Sequence, residues 1–181
     1  MFHMERKITI LAPFFRQPRR AFHIRELAKI VPLSHTAIRK HLHSLVREGY
    51  LALKKETPYN KYLANTTSPP YLSLKRYYNT EQLRESDLLT YLEKAFDHPT
   101  LVLFGSYAKG LDDEESDIDV GVLSEAKPAV NLEKYERHLQ RRISLHLFTK
   151  KDWKIIKKKN PHLINSICNG IVLAGELEVL P

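Results

Sequence analysis

The chain has 181 residues, 43% of them hydrophobic, and a formal net charge of +8, which allows one substantial core or two small ones. Its only cysteine, Cys168, excludes an internal disulfide framework, and no apolar run approaches the roughly 20 residues that a membrane span requires. The opening MFHMERK lacks the apolar stretch of a signal peptide, so the expectation is a soluble cytoplasmic protein with no membrane partner.

The charge is unevenly divided. Residues 1–79 hold 15 Lys/Arg against 4 Asp/Glu, whereas residues 80–181 hold 14 against 17. That asymmetry predicts two domains, the first facing nucleic acid.

In chain order, a helix is expected from Glu5 to Phe15, with Pro13 near its end. HIRELAKIV then places Ile24, Leu27, Ala28 and Val31 at helical spacing, and PLS makes a turn. Ser34 can cap a third helix whose inward face is Ala37, Ile38, Leu42, Leu45 and Val46, and Gly49 ends it. Two short alternating runs, YLALKK and NKYLA, separated by ETPY, predict a β-hairpin.

A short helix, a tight turn and a second capped helix read as helix-turn-helix, and the hairpin as a wing. The outward face of the capped helix carries Thr36, Arg39, Lys40, His43 and Arg47, donors suited to phosphates and guanine edges. Lys54, Lys55 and Lys61 on the wing would add contacts to the DNA backbone. His35, His41 and His43 stand two apart and face different ways on a helix, which argues against a zinc site. Over residues 5–65 the chain resembles the winged helix-turn-helix domains of prokaryotic regulators, most clearly in LSHTAIRKHLHSLVREGYL, and the resemblance implies duplex DNA as partner. Such proteins often bind as dimers, although no heptad is legible here.

Ser68-Pro69-Pro70 breaks the pattern, so the expected division is a DNA-binding domain over 1–68, a linker or connecting helix over 69–80, and a second domain over 81–181. Tyr71, Leu74, Tyr77 and Tyr78 keep helical spacing and are expected in a core.

In the second domain, Glu81 to Phe96 predicts a helix, and TLVLF a buried strand that runs directly into GSYAKG. A glycine there lets backbone approach a ligand, Ser106 can donate its hydroxyl, and Lys109 adds positive charge. In SDIDVGV, Asp117 and Asp119 share one strand face while Ile118 and Val120 face the core. Paired carboxylates repel unless a cation lies between them, and hard oxygen ligands suit Mg²⁺. The loop acids Asp112, Asp113, Glu114 and Glu115 are expected as a solvated surface.

The motif Gly105-Ser106, ten residues, then Asp117-Ile118-Asp119 resembles the signature of the nucleotidyltransferase superfamily that includes DNA polymerase beta, and specifically its minimal members. The resemblance extends over residues 81–148, and the tail NPHLINSICNGIVLAG looks like a C-terminal helix and strand of that fold. It implies an α+β domain with a small mixed sheet. Gly105, Ser106 and Lys109 would hold nucleotide phosphates, and Asp117 and Asp119 would ligate Mg²⁺ or Mn²⁺. A nucleoside monophosphate would pass from an NTP to an acceptor hydroxyl. Lys109 stands where the family has an arginine.

Catalytic members carry a third carboxylate on the next strand, within RISLHLF here. With Ile143, Leu145 and Leu147 toward the core, that strand offers Ser144 and His146. His146 could act as a base, or it could be an ordinary strand histidine. Two alternatives to an enzyme with a generic acceptor follow: a non-enzymatic DNA-binding regulator that senses nucleotide, or an antitoxin-type transferase whose acceptor is a HEPN-type toxin protein.

Overall fold

The computed structural model describes residues 2–178; residue 1 and residues 179–181, at the outer ends of the two expected domains, lie outside the described residues. The chain divides into two compact units, Met1–Tyr78 and Asn79–Pro181. Among the described residues, no helix is long and apolar enough to cross a membrane.

The first unit opens with α1 (Phe2–Arg16), α2 (Ile24–Ile30) and α3 (His35–Arg47), followed by β1 (Leu51–Lys54) and β2 (Lys61–Ala64). Ser34 caps α3 by accepting the Ala37 N–H at 3.3 Å, which satisfies one of the helix's orphan donors. Gly49 follows α3 at φ +82°, a left-handed turn that frees the chain to enter β1. The hairpin is antiparallel, with Leu51 opposite Ala64 and Lys54 opposite Lys61, and Phe22 bridges to Tyr62 on its outer side.

The apolar stripes of the helices meet in one core. Phe14, Phe22, Leu27, Ile38 and Leu42 have at most 1% exposure. Each such side chain contributes about 1.5–3 kcal/mol by leaving water. The first turns of α4 (Pro69–Glu85) add Tyr71, Leu74 and Tyr78, and the Tyr71 hydroxyl donates to the Phe14 carbonyl at 3.0 Å. Tyr77 does not join them and is 52% exposed. Six residues on from Tyr71 it has turned well off the buried face of a helix with 3.6 residues per turn.

The second unit holds a four-stranded mixed sheet in the order β5-β4-β3-β6, built from β3 (Thr100–Phe104), β4 (Ile118–Leu123), β5 (Ile143–Phe148) and β6 (Ile171–Ala174). β3 runs antiparallel to both β4 and β6, and β4 runs parallel to β5. Period-two alternation sorts the strand residues between two clusters. Leu101, Leu103, Ile118, Val120 and Ile143 pack with α5 (Leu88–Ala95) and with Tyr135 of α7 (Glu133–Leu139). Val102, Phe104 and Phe148 pack with Trp153 of α8 (Lys150–Lys159) and Ile164 and Ile167 of α9 (Pro161–Cys168). The tail thus forms a helix and an edge strand.

Two further side chains depart from expectation. Leu147 is 45% exposed rather than in the core. β5 is an edge strand, and the cluster on that face reaches Ile143 and Leu145 but stops short of Leu147. Asp112 is not a solvated loop acid: it is 2% exposed and accepts a hydrogen bond from Asn79 Nδ2 at 2.8 Å.

Candidate functional site

The site is built where β3 turns into a helix. β3 ends at Phe104, and Gly105 opens the five-residue α6 (Gly105–Lys109), which closes on Gly110 at φ +68°. Gly105 itself has φ +74°, a region that L side chains rarely adopt. Its position is crowded as well. Phe104 and Asp119 are register partners across β3 and β4, so a Cβ at residue 105 would run into Asp119 Oδ2 and lie 3.3 Å from its Cγ. The Gly-Ser turn and the Asp119 carboxylate are therefore brought to one point by the strand pairing.

Ile118 and Val120 are fully buried, and Asp117 and Asp119, flanking Ile118, are half-buried. Asp117 lies one residue before β4 begins. Ser106 is half-buried, while Lys109 is exposed at the end of α6.

β5 supplies the third wall. Asp119 is the register partner of Ser144 and Gly121 that of His146. Asp119 Oδ1 lies 3.3 Å from His146 Nε2, which is also 3.4 Å from Ser144 Oγ, and the His146 ring meets the Phe104 ring edge-on at 5.0 Å. One ring nitrogen thus faces both partners: protonated, it donates to the carboxylate; unprotonated, it accepts from the serine hydroxyl.

Among the described residues, no group of three or more His, Cys, Asp or Glu side chains is arranged to hold a metal ion. The hard donor fixed at this point is the Asp119 carboxylate, and Asp117 precedes it by two residues, just before β4. Two carboxylates fit a Mg²⁺ that takes its other ligands from water and phosphate oxygens.

In the first unit, Thr36, Arg39, Lys40, His43 and Arg47 are all exposed on α3, opposite the buried Ile38, Leu42 and Leu45. Lys54 and Lys55 are exposed and Lys61 half-buried. Two of these three lysines share a carboxylate that sequence reading passed over. Glu56 lies 2.8 Å from Lys54 Nζ and 2.7 Å from Lys61 Nζ, and hydrogen bonds first from Lys54 and then from Lys61 hold its carboxyl down at about 2. Arg25 was also missed. Its guanidinium stacks 4.8 Å over Tyr59, in a cleft of about 540 Å³ that includes His23, Arg39 and His43. Only the period of α2 could have hinted that Arg25 leaves the core face.

Comparison with known proteins gives one family. The polymerase beta nucleotidyltransferase model matches residues 86–178. No curated protein matches the chain. Among solved structures, a protein from Rhodococcus sp. RHA1 described as a candidate transcriptional regulator aligns with a TM-score of 0.33 and 17% identity, over 58% of this chain and 40% of its own. The archaeal chromatin protein TrmBL2, described as binding DNA in a novel mode, aligns with a TM-score of 0.27 and 16% identity, over 87% of this chain and 68% of its own. The chain thus spans well under half the length of the first of these.

Proposed function

The chain belongs to the polymerase beta nucleotidyltransferase family, and from that membership we propose that it is a cytoplasmic DNA-binding protein that transfers a nucleoside monophosphate from an NTP to an acceptor hydroxyl. The observation that carries the reading is the close approach of Gly105 to Asp119. It supports a site where backbone that lacks a side chain, the Ser106 hydroxyl and a carboxylate pair act on one triphosphate.

In this reading Gly105 leaves room for phosphate oxygens, Ser106 donates to them, and Lys109 adds positive charge to that side. Asp117 and Asp119 would hold Mg²⁺ or Mn²⁺, which when bound offsets the charge of the triphosphate and of the departing pyrophosphate. The acceptor oxygen bonds to the α-phosphorus as the bond to pyrophosphate breaks. The acceptor's proton must leave, and His146, in contact with Asp119, is the base at hand.

The first unit supports a winged helix-turn-helix reading: α2, a turn and capped α3 are followed by an antiparallel hairpin, and α3 presents Arg39, Lys40 and Arg47 outward. Duplex DNA is the partner that such a face fits. A second reading, a regulator that binds nucleotide without transferring it, is favoured by one observation. The β5 side chain that meets the Asp119 carboxylate is the His146 imidazole rather than a further carboxylate, and imidazole is a poor Mg²⁺ ligand.

Calorimetric titration with each NTP in Mg²⁺ or Mn²⁺, followed by incubation with labelled NTP, tests both. Label transfer and pyrophosphate release that vanish in Asp117→Asn establish the transferase. Binding without turnover, together with a nucleotide-dependent change in DNA affinity, establishes the regulator. A gel shift with Arg39→Ala/Lys40→Ala at several salt concentrations tests the DNA face, since lost phosphate contacts flatten the salt dependence.

A further inference from the structure

The second unit contains a cavity of about 1140 Å³ that the proposed activity does not use. Thr100, which opens β3, and Leu123, which closes β4, line it, whereas Gly105 and Asp119 sit at the other ends of those strands. It is therefore separate from the Asp117 and Asp119 site. Its apolar lining is Leu123, Trp153 and Ile155; Trp153 is 5% exposed, but Ile155 keeps 43% of its surface in solvent.

The charges around this lining are segregated by element. The five lysines, Lys150, Lys154, Lys157, Lys158 and Lys159, all come from α8, and the three acids come from loop segments, Glu125 from the one after β4 and Glu176 and Glu178 from the one after β6. α8 is held in place at its start. Thr149 and Asp152 form a reciprocal capping box, and Glu125 accepts the Lys150 N–H at 2.9 Å. The lysine row is thus presented by a fixed helix.

Each simple occupant meets repulsion from one side. A purely acidic occupant leaves Glu125, Glu176 and Glu178 facing like charge, and a basic peptide leaves the five lysines facing like charge. A second copy of this chain, turned about a two-fold axis, satisfies both at once: the lysine side of each copy meets the glutamate side of the other. We propose that this cleft is a homodimer interface, in which the exposed Ile155 of each copy enters the cleft of its partner. The proposal is independent of nucleotidyl transfer, because its test reads assembly alone.

The full chain is studied by sedimentation velocity in low salt, as wild type and as two charge-reversed variants. One is Lys154→Glu/Lys158→Glu, and the other Glu176→Lys/Glu178→Lys. The wild type should dimerise, and each variant alone should do so about a hundredfold more weakly, since like charges then face each other twice. Mixed in equal amounts, the two variants should form a heterodimer, because every reversed side then meets its complement. That recovery also shows that both variants are folded. A monomeric wild type at about 100 µM, a wild-type dimer that neither reversal weakens, or a mixture that stays monomeric would each overturn the proposal. So would wild type that stays monomeric while binding duplex DNA or polyglutamate through Lys154 and Lys158.

Discussion

His146 Nε2 stands 3.3 Å from Asp119 Oδ1, on the carboxylate whose other oxygen crowds Gly105. The side chain at residue 146 therefore decides what else Asp119 can bind. Replacing the imidazole by a carboxylate, His146→Asp, adds a hard oxygen donor beside Asp119. Mn²⁺ and Mg²⁺ affinity should rise by about tenfold, with the larger gain for Mg²⁺. His146→Asn, which is neutral, serves as the control. Titration calorimetry, with Mn²⁺ also followed by electron paramagnetic resonance, reads the change directly. Weaker metal binding in His146→Asp would remove Asp119 from the metal site.

Gly105→Ala tests the turn. An alanine would be strained at φ +74° and its Cβ would strike the Asp119 carboxylate. The expected cost is about 1–3 kcal/mol of stability, read by urea denaturation. NTP affinity should fall in parallel, because relief of the clash moves either the turn or Asp119. A variant with wild-type stability and wild-type NTP affinity would show that the turn is not the phosphate site.

Features set by local periodicity and spacing were legible in the sequence. Leu101 and Leu103 alternate with Val102 and Phe104, and the sheet sends the two pairs to different clusters. Ser34 signals a cap because its hydroxyl satisfies a backbone donor three residues on. The interval from Gly105-Ser106 to Asp117 and Asp119 points to the family whose model matches residues 86–178. Features set by pairing across the chain were not legible. Nothing local says that Asp112 meets Asn79, 33 residues earlier, or that the imidazole of His146 meets Asp119, 27 residues earlier. Leu147 reads as core because its period is right, but β5 lies at an edge and its cover runs out.

Asp112 and its acidic neighbours should respond unequally to substitution. Asp112 is buried, and the Asn79 side chain that donates to it also donates to the Tyr107 carbonyl at 2.9 Å. Asp112→Ala leaves a buried amide short of an acceptor and should destabilise the chain by about 1–3 kcal/mol. Glu115→Ala, at an exposed position, should change stability by less than about 0.5 kcal/mol. Paired urea melts settle the comparison, and equal effects would mean that Asp112 is not held as described.

Glu56 offers a gain of function in the first unit. Its carboxylate engages both Lys54 and Lys61, so two of the three hairpin lysines carry a built-in competitor for any phosphate they meet. Lowering the pH is a poor way to release them. Hydrogen bonds from Lys54 and Lys61 take the Glu56 carboxyl from its ordinary 4.5 to about 2. A folded value below the unfolded one means that the ion pairs stabilise the hairpin in full above about 4.5. That contribution is lost only as pH falls toward about 2. Substitution removes the competitor at neutral pH instead. Glu56→Gln keeps the shape of the side chain and frees two cations, so duplex DNA should bind several-fold more tightly at low salt. The slope of log affinity against log salt should steepen by about one to two. Fluorescence anisotropy over a salt series measures both quantities. An unchanged slope would mean that Lys54 and Lys61 do not touch the phosphate backbone, and would confine the interface to α3.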